Sequence, residues 1–134
     1  MTAGAQIPGI KDTEFEATAA VDGQALVMRL WGNADLRVNA PLGPFLDSVD
    51  DEAKRNHMGE VVADFRELVF MNSSCLKEFV RWIAQVDERA DNHYRIRFLS
   101  DPAAQWQSRS LQALRAFAPS LVTIEVANAQ RSTP

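Results

Sequence analysis

The apolar residues of this 134-residue chain switch repeatedly between a period of two and a period near 3.6, and that alternation restricts the fold more than any other feature. Phe15, Ala17 and Ala19 share one face of a strand predicted over residues 14–21. Asp22-Gly23 is a hairpin turn signal, and ALVMRLW over 25–31 is the returning strand, ended by Gly-Asn-Ala-Asp at 32–35. Leu42, Phe45, Leu46 and Val49 fall at i, i+3, i+4 and i+7 and predict a helix whose first turn holds Pro41 or Pro44. The charged stretch 50–55 reads as its solvated end. EVVADF over 60–65 reads as a buried strand, with 68–71 a short continuation after a kink. Leu76, Phe79, Val80, Ile83 and Val86 make the apolar stripe of a helix over 75–90, with Lys77, Glu78, Arg81, Gln85 and Glu88 off it. A strand over 94–99 follows. Asp101 as N-cap and Pro102 as first residue start a third helix, carried by Trp106, Leu111, Leu114 and Phe117 and stopped by Pro119. LVTIEV over 121–126 is the last strand.

The order β-β-α-β-α-β-α-β predicts an α/β fold whose sheet is largely parallel, with an antiparallel hairpin at one edge. A chain of this length suits one domain, and 46% hydrophobic residues suffice for a core. The domain is placed over residues 12–127, between flexible tails at 1–11 and 128–134.

The formal net charge of −4 is the reverse of the basic surplus a nucleic-acid binder uses to displace counterions, so no nucleic-acid partner is expected. The longest apolar runs are far too short for membrane insertion. The N-terminus lacks the basic-then-apolar order of a signal peptide, and a single cysteine allows no intramolecular disulfide. A cytoplasmic location is expected. The glycines form no phosphate-binding loop, and His57 and His93 lack metal-ligand spacing. No cofactor and no metal are expected. Asp50, Asp51 and Glu52 read as a wet helix end. Asp64 lies where open α/β sheets collect their sites, and is read as a structural carboxylate held by loop amides. Trp31, Trp82 and Trp106 are well separated, each with a place in the core or on a helix face. Cys75 stands at a helix start, where a thiol can become acidic, but no histidine adjoins it in sequence. It reads as a small first-turn residue, and no catalytic residue is predicted.

One junction combines two possibilities. LVFM at 68–71 gives way to Asn72-Ser73-Ser74 and then to the helix at Cys75. Serines there read as caps for the unpaired N–H groups of the first turn. The same unpaired donors and positive dipole suit a phosphate.

Three stretches, "ALVMRLWGNADLRVNAPL", "EVVADFRELVFMNSSCLKEF" and "YRIRFLSDPAAQWQSRSLQALRAF", together resemble the STAS domain family, typified by bacterial anti-sigma-factor antagonists. The resemblance runs from about Phe15 to Val126. It implies a four- to five-stranded mixed sheet with helices mainly on one face, and no catalysis. It also implies a protein partner: a serine-kinase anti-sigma factor that binds the unmodified domain, phosphorylates the second serine of the motif and is thereby released, with a phosphatase resetting the cycle. Carried over, Ser74 is the phosphoacceptor with Ser73 beside it. Asp35 and Asn33 in the first turn, and Asn72, Cys75, Leu76 and Lys77 around the serines, are the partner-binding residues. Gly32 and Asp64 are structural. The domain is expected to be a monomer or weak homodimer. Asn72 stands where the family usually has aspartate, Cys75 where it has glycine, Lys77 where a small residue is common, and Asn33 in place of a frequent glutamate. These departures motivate a second reading, a constitutive docking module serving as the small soluble subunit of a transporter or signalling assembly.

Overall fold

Asp22 and Gly23 turn the chain as their sequence requires, Gly23 taking a positive φ of 65°. In the computed structural model, which describes residues 7–89 and 93–126, the hairpin joins β2 (Phe15–Asp22) to β3 (Ala25–Ala34). A two-residue strand, β1 (Ile10–Lys11), pairs antiparallel with β2. Ile10 and Lys11 therefore belong to the sheet and not to a tail; residues 1–6 and 128–134 of the two expected tails lie outside the described residues. From β3 the chain enters α1 (Leu36–Arg55), β4 (Glu60–Met71), α2 (Ser73–Asp87), β5 (Arg95–Ser100), α3 (Gln105–Phe117) and β6 (Val122–Val126). The sheet order is β1-β2-β3-β4-β5-β6, parallel from β3 to β6. The sheet thus has six strands where four or five were expected, because β1 adds a short edge.

Phe15, Ala17, Met28, Leu30, Ala63, Phe65, Ile96 and Phe98 form the buried face on which the helices pack. Thr18, Arg29, Arg95 and Thr123 point to the opposite face and are exposed. Phe65 is central, meeting Phe79 of α2 and Phe98 of β5 edge-on, each at 5.3 Å between centroids.

Several expectations need correction. β3 does not stop at Trp31; it passes through Gly32 at a bulge and ends at Ala34. α1 starts at Leu36, so Pro41 and Pro44 both lie inside it. Both prolines are exposed, as are Arg37 and Ala40, whose carbonyls lose the i+4 N–H donor that a proline lacks. β4 is one strand, and the expected kink is taken up by two register shifts against β3. On α2 the buried stripe is Cys75, Phe79, Trp82, Ile83 and Val86, with Leu76 and Val80 half-buried at its margin. Asp101 does not cap α3: its Oδ1 accepts from Ala103 N (3.0 Å), and the helix begins later at Gln105.

The end of α1 is wet only in part: Asp51 and Arg55 are exposed as expected, whereas Asp50 and Glu52 are not. Asp50 and Glu52 are both 6% exposed. Trp82 Nε1–H donates to Tyr94 Oη (2.9 Å), which donates to Asp50 Oδ1 (2.7 Å). Arg89 donates to both Asp50 oxygens (3.0 and 2.6 Å), so the buried carboxylate is fully partnered. Gln107 plays a similar part at the other end of the sheet. β5 pairs with β4 only as far as Asp64, leaving the rest of β4 without a neighbour on that side. Gln107 Nε2 supplies the missing donors to Phe65 O (2.7 Å) and Leu68 O (3.0 Å), and its Oε1 accepts from Asp101 N (3.0 Å).

Candidate functional site

β3 and β4 are parallel neighbours and end together, with Ala34 opposite Met71 and Asn72 N–H donating to Ala34 O at 2.9 Å. Each strand feeds directly into a helix. The starts of α1 and α2 therefore emerge side by side at the carboxyl ends of adjacent strands, where open α/β sheets place their sites and where both helix dipoles are positive.

Asp35 caps α1. Its Oδ1 accepts from Arg37 N (3.0 Å), and the Arg37 guanidinium closes on both carboxylate oxygens (3.2 and 3.0 Å). Those hydrogen bonds hold the Asp35 carboxyl below the usual range. Arg37 also reaches Asp12 (3.7 Å) and Glu14 (3.8 Å), joining the β1–β2 connection to the helix start.

Asn72 caps α2. Its Oδ1 accepts from Cys75 N at 2.9 Å, and its carbonyl from Leu76 N at 3.0 Å. This corrects the sequence reading, which gave that task to the serines. Asn and Ser are about equally good caps; position decides. Asn72 is the extended residue that directly follows β4, so Ser73 and Ser74 become the first two residues of the helix. Ser73 is exposed and Ser74 half-buried, and among the described residues neither hydroxyl makes a hydrogen bond. Asn72→Ala is accordingly expected to cost ~1 kcal/mol and Ser73→Ala under ~0.5 kcal/mol. Urea unfolding of the two variants measures the difference.

Cys75 was expected at the partner surface. Its side chain is instead fully buried, with Sγ 3.6 Å from Asp35 O, tying the two helix starts together. A buried thiol offers nothing to a partner. Burial, with smaller contributions from the Asp35 and Glu78 carboxylates, pushes it up to about 11, so it is a protonated thiol and no nucleophile. At pH 8 its alkylation is expected to run about 100-fold slower in the folded protein than in urea, and to accelerate steadily above pH 9. The sign for stability follows: the folded thiol titrates above its ordinary value of 9.0, so this contribution is full below pH 9 and lost toward pH 11.

Asp64 sits earlier on β4, apart from the serines. Burial alone would raise its carboxyl, but hydrogen bonds from Arg66 N, Nε and Nη2 (3.1, 2.9 and 2.8 Å) hold it below the usual range. It clasps the bulged strand itself. Gly32 has φ 89°, and Asn33 N donates to Glu14 O (2.8 Å), so the bulge fixes the end of β3 against β2.

The structure thus gathers Asn33, Asp35, Asn72, Ser73, Ser74, Leu76 and Lys77 at one edge, with Lys77 exposed. It adds Val69 (65% exposed) and Phe70 (47% exposed), which the sequence reading left within a strand. Two adjacent exposed hydrophobics on a strand that outruns its neighbour are the signal that was missed. Beside them, a cleft of about 600 Å³ runs between β4 and the start of α3, lined by residues including Arg66, Val69, Gln105 and Trp106. Among the described residues no group of three or more His, Cys, Asp or Glu side chains is placed to hold a metal, and no helix is long and apolar enough to cross a membrane.

No protein-family model matches the sequence, and no curated protein does. Solved structures do. An anti-sigma factor antagonist from Mycobacterium paratuberculosis matches with a TM-score of 0.62 at 14% identity, over 83% of this chain and 85% of that one. A chain in the crystal structure of the diguanylate cyclase SiaD in complex with its activator SiaC, from Pseudomonas aeruginosa, matches with a TM-score of 0.59 at 12% identity, over 90% of this chain and 99% of that one. At such identities the likeness establishes the fold: a STAS-like α/β domain.

Proposed function

We propose that this STAS-like domain is a non-catalytic partner-switching regulator: it docks on a second protein through the paired helix starts at Asp35 and Asn72, and phosphorylation of Ser74 ends the docking. The observation that carries the reading is the free Ser74 hydroxyl. Because Asn72 takes the cap, modifying Ser74 removes no hydrogen bond that holds the fold. The Ser73 and Ser74 N–H groups have no partner among the described residues, and the helix dipole favours negative charge there. A phosphate is therefore tolerated by the domain and felt by whatever covers it.

Val69 and Phe70 supply the apolar anchor for that partner. Burying each is worth ~1.5–3 kcal/mol; half-buried Leu76 extends the apolar surface, and Asn33 and Lys77 form its polar margin. Two proteins of the same fold support regulation by docking: one is an anti-sigma factor antagonist, the other a component of a complex between a cyclase and its activator. The partner fitting the switch is a serine kinase of the anti-sigma type, with a phosphatase resetting Ser74.

The test is capture of native partners on two baits, the unmodified chain and the chain carrying phosphoserine at position 74. A kinase-like protein retained only by the unmodified bait supports the switch. Equal retention by both baits favours the constitutive docking module and overturns the switch.

A further inference from the structure

β5 leaves β4 early. Asp64 opposite Leu99 is their last pair, so from Phe65 to Met71 no described strand lies beside β4 on that side. The Gln107 carboxamide covers the first part of the gap, donating to Phe65 O and Leu68 O. Past it, among the described residues, no side-chain hydrogen bond reaches the backbone of Val69, Phe70 or Met71. Val69 and Phe70 are also two of the four large hydrophobics that the fold leaves exposed. An open stretch of strand with apolar side chains is a template for another chain.

The cleft of about 600 Å³ lies along this stretch, between the unpaired part of β4 and the chain that leads from β5 into α3. Leu68, Val69 and the half-buried Trp106 supply its apolar lining, and its charged groups are Arg66, Glu67 and Asp101. Arg66 is already committed: its guanidinium donates to both oxygens of Asp64 (2.9 and 2.8 Å). Glu67 is exposed, and neither it nor Asp101 has an ion pair among the described residues. The charge left for a visitor to meet is therefore negative.

These features select the occupant. Free backbone on a strand edge pairs with extended chain, apolar walls take alternate side chains of that chain, and unmatched carboxylates take a cation. A second copy of this domain would bring the same acidic cleft to the contact, which charge disfavours.

We propose that the end of β4 takes an extended segment of a partner protein, apolar and basic in composition: its backbone pairs with the open edge at Val69–Met71, an apolar side chain enters the cleft against Trp106, and a lysine or arginine meets Glu67 and Asp101. The inference deepens the proposed function and rests on its reading of Val69 and Phe70 as the partner's anchor. It asks nothing of Ser74.

The test is a selection of random displayed peptides against the full chain, followed by synthesis of the tightest binder. That peptide should carry Lys or Arg beside apolar residues. On binding, it should shift the amide resonances of residues 66–71 and the indole N–H of Trp106. Methylating its backbone nitrogens one at a time should weaken binding about tenfold at alternate positions and little between them, the mark of strand pairing. Glu67→Lys, an exposed change that leaves the fold intact, should weaken it by about tenfold as well. A selection without a binder, a binder indifferent to methylation, or one that shifts residues elsewhere would overturn the proposal. So would concentration-dependent shifts of residues 66–71 in the chain alone, which would assign the edge to a second copy. Each of these results leaves the Ser74 switch standing, and equal retention of partners by the two baits described above would remove the switch and leave the edge.

Discussion

Ser74→Asp is expected to weaken binding of the docked protein by about 100-fold or more, because an unmatched charge in a desolvated interface costs several kcal/mol. The same variant should change fold stability by under ~0.5 kcal/mol, since a carboxylate in the first turn of a helix sits favourably with the dipole. Ser74→Ala should bind as the native chain does and fail to be released. Calorimetric titration with the captured partner, beside urea unfolding of each variant, separates the two effects.

Gly32→Ala is expected to produce the largest loss of stability, ~3 kcal/mol or more. Gly32 has φ 89°, which disfavours any side chain. An added Cβ would stand 2.1 Å from Glu14 O and 3.3 Å from Phe15 Cα. Both are backbone atoms, so relief requires β2 and β3 to part. Gly23 provides the control. Its φ of 65° is also positive, but a Cβ there meets nothing within 4 Å, so Gly23→Ala should cost only ~1 kcal/mol. Urea midpoints of the two variants test the contrast. Parting at Gly32 would also release Asn33 from Glu14 and move the Asp35 turn, so stability and docking should fall together there and separately at Ser74.

The order of strands and helices was legible because apolar spacing reports which face of an element is buried. Leu42, Phe45, Leu46 and Val49 are all within 3% of full burial, as their spacing required. β1 was not legible: two residues carry no period, and Ile10 is a strand residue only because Ala17 pairs with it. Asp50 looked solvated because its neighbours in sequence are charged, whereas the groups that justify its burial, Arg89 and Tyr94, come from far along the chain. On α2, Phe79, Ile83 and Val86 are buried as their spacing required, but Cys75 and Trp82 complete the stripe in place of Leu76 and Val80, with Tyr94 and Asp35 satisfying their polar atoms.

At the candidate site the structure brings expected residues together but divides the capping differently. Asp35, Asn72, Ser73 and Ser74 do converge. The exchange of capping between Asn72 and the serines turned on a single residue of strand length, which propensity does not resolve. Cys75 was misplaced because a first-turn residue reads as accessible until the neighbouring helix is known.

The account depends most on whether occupancy of Ser74 and occupancy of the docking face exclude each other. The measurement that decides it is the intact mass of the tagged chain recovered from its native cells, separated into partner-bound and partner-free fractions. The account predicts a partner-bound chain of unmodified mass and a partner-free pool heavier by one phosphate, which fragmentation assigns to Ser74. A phosphorylated chain in the bound fraction, or no phosphate in either, would contradict it.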